Sequence, residues 1–138
     1  MDRWKPVLTR FPAWTFTFLT LAAILWLTLA PKPLGEEPPP LFEGADKIAH
    51  GIMFGGLASM MLLDWQRKHG WTLTGWIRAM ICSSLSSIVG IIIEMAQSSM
   101  GLGREFEWGD IVSDTVGAFI FGVGYIFLQK IWCQTPYK

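Results

Sequence analysis

An all-α membrane protein, with four transmembrane helices and both termini in the cytoplasm, is the fold this sequence predicts. Three observations lead there. Hydrophobic residues make up 51% of the 138, and the mean hydropathy of +0.38 is too high for an ordinary soluble domain. The apolar residues fall into four runs separated by Pro, Gly and charge. Lys and Arg are divided unevenly between alternate loops, which sets an orientation. The length suits one domain, residues 1–138, with no internal repeat.

The four spans are expected at about residues 12–30, 46–64, 77–99 and 110–132. The first holds Trp14–Ala30, a run without a charge, about long enough to cross a hydrocarbon core of roughly 30 Å. Thr28-Leu29-Ala30 offers small residues near a signal-peptide cut, but Pro31 disfavours that cut and the run exceeds a signal's apolar region. A retained helix is therefore expected. Residues 31–45 form a connecting loop, because Pro31, Pro33 and Pro38-Pro39-Pro40 cannot continue a helix. Asp46 opens the second helix, whose Gly51, Gly55, Gly56 and Ser59 lie on or near one face and admit a close neighbour. The polar run Asp64–Gly70 ends it, and Trp71–Trp76 is a loop. In the third helix Ser83, Ser87, Gly90, Glu94, Gln97 and Ser98 recur at spacings of three and four, a small and polar stripe that must face protein. Gly101 and Gly103 stop it. On the fourth helix Asp110, Asp114, Gly117, Phe121 and Gly124 share a face.

Arg3, Lys5, Arg10, Arg67, Lys68, Arg78, Lys130 and Lys138 lie on one side, and only Lys32, Lys47 and Arg104 on the other. The positive-inside rule puts the first side in the cytoplasm. Cys82 and Cys133 are then expected as free thiols. Net charge is near zero and no basic face is interleaved with aromatics, so nothing argues for nucleic acid and none is expected as a partner.

This topology brings every conspicuous polar residue to the outer end. Asp46, Lys47 and His50 start the second helix, Glu94 and Gln97 end the third, Arg104 lies in the next loop, and Asp110 and Asp114 start the fourth. A charged residue inside a membrane helix costs roughly 2.5–3.5 kcal/mol on insertion scales, so such residues mark functional sites by default. Simpler roles compete. Asp46 and Asp110 suit N-caps, His50 on a Gly-rich face suits packing, and Lys47 and Arg104 suit snorkelling. Glu94 and Asp114, a turn or more inside their helices, resist such roles. The four carboxyls exceed their cations, which hints at a divalent metal or a cationic ligand group; no particular metal is indicated.

In these residues the chain resembles the VanZ-like family of small bacterial membrane proteins. The matching elements are Asp46-Lys47-x-x-His50 before a Gly-rich helix, Glu94-x-x-Gln97, Arg104, and Asp110-x-x-x-Asp114-x-x-Gly117. The family often carries Asn where this chain has Asp114. The resemblance implies a multi-pass protein of the bacterial cytoplasmic membrane and a cell-envelope theme, through a member linked to low-level teicoplanin resistance. It implies no reaction. The expected ligand is a membrane lipid or a lipid-linked cell-wall precursor.

The catalytic candidates are His50, Glu94 and Asp110. His50 would be the acid or base, with Glu94 orienting it, acting as base or binding metal. Asp46, Lys47, Gln97, Arg104 and Asp114 are the ligand-binding candidates, Lys47 and Arg104 suiting a phosphate or carboxylate. No Gly-x-Ser-x-Gly, His-Glu-x-x-His or outer Cys nucleophile is present, which argues against covalent catalysis. The alternatives are a scaffold or transport-accessory bundle in which the cluster recognises without turnover, or structural glue. The Gly51/Gly55 and Gly117/Gly124 faces suit either helix seams or a homo-oligomer.

Overall fold

Five helices run through the residues described by the computed structural model, namely 5–30, 35, 42–101 and 106–133. They are α1 (Lys5–Leu8), α2 (Thr15–Leu29), α3 (Ala45–Lys68), α4 (Trp76–Ser99) and α5 (Trp108–Cys133), with no strand among the described residues. Arg104, Gly103 and most of the proline loop lie outside them.

Three helices, α3, α4 and α5, are long and apolar enough to cross a membrane. The first expected span is shorter than its sequence suggests. Trp14 takes a left-handed backbone with φ 68°, so the helix begins at Thr15 and not at Pro12. Its 15 residues extend about 22 Å at 1.5 Å per residue.

The second span, by contrast, is longer than expected. Helix α3 continues through Asp64, Gln66 and Arg67 to Lys68, and it buries all three of those polar side chains. They stay helical because partners reach them from other elements. Asp64 Oδ2 accepts from the Thr17 backbone N–H at 2.8 Å and the Thr17 hydroxyl at 2.9 Å. Arg67 pairs with Asp64 and donates to the carbonyls of Leu8 and Phe11. This clasp ties the segment entering α2 to the end of α3. Beside it, Gln66 Nε2 and the Thr74 backbone N–H both donate to Gln129 Oε1, at 2.6 and 2.7 Å, and the Tyr125 hydroxyl donates to Gln66 Oε1 at 2.6 Å.

The N-cap readings are also corrected. Gly44, in a left-handed conformation with φ 85°, caps α3 without a side-chain bond. Asp46 instead sits in the first turn and pairs with Lys47. Helix α5 starts at Trp108, which places Asp110 inside the first turn rather than ahead of it.

His50 meets Asp114 and Gln66 meets Gln129, so α3 and α5 run parallel; Ser83 meets Ala118 and Gly90 meets Asp114, so α4 runs against both; α2 packs on α3 and α4. The α3–α5 contact is a seam of glycines. A Cβ at Gly117 would strike the carbonyl oxygen and Cα of Gly51, and one at Gly55 would come within 2.6 Å of the Phe121 ring. Gly56 and Gly124 meet nothing within 4 Å, so Gly124 is not part of the seam. Hydroxyls on α4 close the other two contacts. Ser83 Oγ donates to the Ala118 carbonyl at 2.9 Å, and Ser86 Oγ to the Phe54 carbonyl at 2.7 Å. Of the stripe read from sequence, Ser83, Ser87, Gly90, Glu94 and Gln97 are buried, whereas Ser98 turns to its own Met95 carbonyl.

The outer surface is apolar, with Phe18, Ile77, Ile92, Ile120 and Ile131 all exposed. Polar inside and apolar outside is the arrangement a bilayer selects.

Gly117→Leu is expected to destabilise the bundle by about 1–3 kcal/mol, the usual cost of over-packing, measured by melting in detergent. Gly124→Ala should leave the melt unchanged. Arg67→Met should lose about 3–5 kcal/mol, because it leaves Asp64 buried without its cation. Replacing Asp64 as well, by Leu, should restore part of that loss.

Candidate functional site

The cluster is built on the seam. Gly51 and Gly117 bring the α3 and α5 backbones together, and His50 and Asp114 lie one and three residues from that contact. Their side chains meet, with His50 Nδ1 3.0 Å from Asp114 Oδ1. An ionised Asp114 only accepts, which would put the proton of this bond on Nδ1. Asp110, one turn earlier on α5, places Oδ2 4.0 Å from His50 Nε2. The imidazole is thus bracketed by two aspartates of one helix face. It is largely buried, with 15% of its side chain exposed against 2% for Asp114, and it stacks on Phe54.

Asp114 reaches this position because α4 has no side chain in its way. A Cβ at Gly90 would come within 2.6 Å of Asp114 Oδ2. Gly109 plays the same part for Lys47, whose Cε would lie 2.7 Å from an added Cβ.

Lys47 is the hub of the rim of this cluster. Its Nζ lies 2.9 Å from Glu107, 3.4 Å from Asp46 and 3.7 Å from Asp110. Asp46, Glu107 and Asp110 each present a carboxylate oxygen, all within 4.8 Å of one another. A divalent ion can bridge oxygens so spaced, but the Lys47 ammonium already lies among them. Asp110 Oδ1 is buried without a hydrogen-bond partner, its nearest cation being Lys47.

Glu94 is buried at 3% exposure. It accepts from the Glu107 backbone N–H at 2.8 Å, which ties the start of α5 to α4. The direct bond to His50 comes from Asp114, the role assigned to Glu94 on sequence grounds. Gln97 donates to the Thr28 carbonyl at 2.7 Å, fastening α2 to α4 rather than facing the rim. Arg104 lies outside the described residues. The structure therefore brings Asp46, Lys47, His50, Asp110 and Asp114 into one cluster, with Glu94 linked to it through Glu107.

Sequence reasoning missed Glu107, Thr28 and the whole Asp64–Arg67 clasp. Glu107 drew no notice because it stands in a loop, where an exposed carboxylate is ordinary. The clasp left a signal, since Asp64 and Arg67 are spaced i, i+3 at the end of an apolar run.

Glu94→Gln keeps an oxygen for the Glu107 N–H, and its melt should stay within about 1 kcal/mol of wild type. Glu94→Leu strands that N–H and should lose about 1–3 kcal/mol. Equal losses in both would mean that the charge, not the acceptor, holds the start of α5.

Comparison with curated proteins and with solved structures finds no match to the chain. A protein-family model does match: that of VanZ/LLP1, over residues 7–129. The match runs from the segment held by the Arg67 clasp to the Gln129 network and includes every residue of the cluster. The chain belongs to the VanZ/LLP1 family.

Proposed function

We propose that this is a multi-pass protein of the bacterial cytoplasmic membrane whose acidic end lies at the outer leaflet and binds or modifies an envelope lipid or lipid-linked cell-wall precursor. In this reading α2 is a fourth, short span and both termini are cytoplasmic. The charge distribution supports that orientation, since Arg67, Lys68, Arg78 and Lys130 all flank the opposite end of the bundle.

One observation carries the reading. An open groove of about 310 Å³ lies between α3 and α5, walled by Ile48, Ile52, Val116, Ile120 and Phe121, and Lys47 stands at its head. Its floor is the glycine seam, where no side chain fills the space. From Ser113 to Phe121 the lining spans about 12 Å along α5 at 1.5 Å per residue. A hydrocarbon chain in this groove would place its headgroup beside Lys47, Asp110 and His50.

The geometry suits acid–base work at that headgroup. Asp114 fixes the imidazole through Nδ1, leaving Nε2 as the working nitrogen opposite Asp110. The rim residues Asp46, Lys47 and Glu107 would hold the headgroup. The link of one family member to low-level teicoplanin resistance fits an action on the same surface. A scaffold reading draws on Glu94 and Gln97, both committed to backbone partners.

Two experiments test the proposal. A cysteine at Met100 should label in spheroplasts with an impermeant reagent, and one at Lys68 should not; the reverse pattern would move the cluster to the cytoplasm. His50→Gln should fold yet lose the envelope phenotype, read as teicoplanin susceptibility in a host lacking its own copy. A His50→Gln protein that works like wild type would favour the scaffold.

A further inference from the structure

The charges of this molecule are separated end from end, although its net charge is zero. Of eleven Asp and Glu residues, only Asp2 and Asp64 belong to the cytoplasmic end of the proposed topology; of eleven Lys and Arg residues, only Lys32, Lys47 and Arg104 belong to the other. Among the described residues at that outer end, Glu43, Asp46, Glu94, Glu107, Asp110 and Asp114 face one lysine and one histidine. The loop residues outside the description add three carboxylates and two cations by sequence, namely Glu36, Glu37, Glu105, Lys32 and Arg104. The surplus of negative charge therefore does not depend on them.

An anionic headgroup entering the groove would meet this surplus, and Lys47, the one cation among the described residues at the groove's head, is already shared by three carboxylates. A cation meets the opposite situation. Asp46 and Glu107 are the most exposed carboxylates of the rim, with 60% and 55% of their side chains accessible. Each has lone pairs beyond the contact it makes with Lys47. An ammonium group, with three donors on a compact charge, can bridge two such carboxylates. The apolar walls begin immediately below, at Ile48 and Ile52.

We propose that the ligand of this site is a cationic amphiphile, with a primary ammonium head seated on Asp46 and Glu107 and one hydrocarbon chain laid in the α3–α5 groove. The inference rests on the reading that the groove holds an envelope lipid, and adds the sign of the headgroup. It also gives the Lys47 contacts a purpose. Lys47 holds the three carboxylates together while the site is empty of ligand, and the incoming ammonium joins it rather than competing with a bound anion.

The test uses the full chain in phosphatidylcholine nanodiscs with EDTA present. Two spin-labelled probes share one octadecyl chain and differ in the head, primary amine or phosphate. Binding is read as the motionally restricted component of the spectrum. The amine probe is expected to bind about five-fold more tightly, the effect of a single charge contact at 4 Å in water, and to lose that advantage at high salt. The doubly substituted Asp46→Asn/Glu107→Gln protein should bring the two probes to parity. Ile52→Trp, which fills the groove from its exposed wall, should weaken both equally.

Equal binding of the two heads in the wild type would overturn the amine assignment, and so would a preference that survives the double substitution. Phosphate binding that appears on replacing EDTA with Mg²⁺ would assign the carboxylates to a metal instead. In each of these outcomes, sensitivity of both probes to Ile52→Trp would leave the groove reading standing. Indifference of both probes to Ile52→Trp would remove the groove reading itself.

Discussion

The contact between the backbones of Gly51 and Gly117 is the constraint on which the rest of this structure depends. In a bilayer the apolar effect does not drive helices together, because lipid is as apolar as Leu; close packing and interhelical hydrogen bonds do it instead. With no Cβ on either side, α3 and α5 approach until the carbonyl of Gly51 touches the position a Gly117 side chain would take. At that separation His50 and Asp114 are at hydrogen-bond distance, and the shallow trough above the seam becomes the groove. Position, pairing and access all follow from one missing pair of methyl groups.

The second determinant is that polar groups inside the bundle are consumed by neighbouring helices. Ser83 and Ser86 bond α4 to the carbonyls of α5 and α3, Gln97 bonds it to α2, and Gln129 bonds the α3–α4 connection to α5. Leaving such groups unpaired would cost several kcal/mol each in hydrocarbon. The arrangement makes the bundle specific as well as stable, since each bond is satisfied in only one register. It also sets the two ends apart. At the Arg67 end the charges neutralise one another inside a clasp, whereas at the His50 end they form a partly exposed, acid-rich rim.

What could be read from the sequence follows the same physics. Charged residues inside apolar runs are conspicuous, so Asp46, His50, Glu94, Asp110 and Asp114 stood out, and topology alone put them at one end. The glycines of the seam were visible for the same reason, by spacing on a helix face. What stayed hidden depended on partners far along the chain. Asp64–Gly70 reads as a solvated helix end until Thr17, Leu8 and Phe11 are brought to it. Glu107 reads as a loop residue until Lys47 and Glu94 are found beside it. Gly124 fits the face by spacing, yet the α3–α5 seam does not reach it. The left-handed turn at Trp14 that shortens α2 has no marker, because Trp is not a residue that favours positive φ.

The central claim is that the glycine seam delivers Asp114 to Nδ1 of His50 and leaves Nε2 as the working nitrogen. With two histidines in the chain, a His69→Gln background isolates the His50 signals in a ¹⁵N spectrum of the labelled protein in lipid. The account predicts a protonated Nδ1 whose resonance moves when Asp114 is replaced by Asn, and moves again when Gly117→Leu forces the helices apart. An Nδ1 that carries no proton and responds to neither substitution would contradict it.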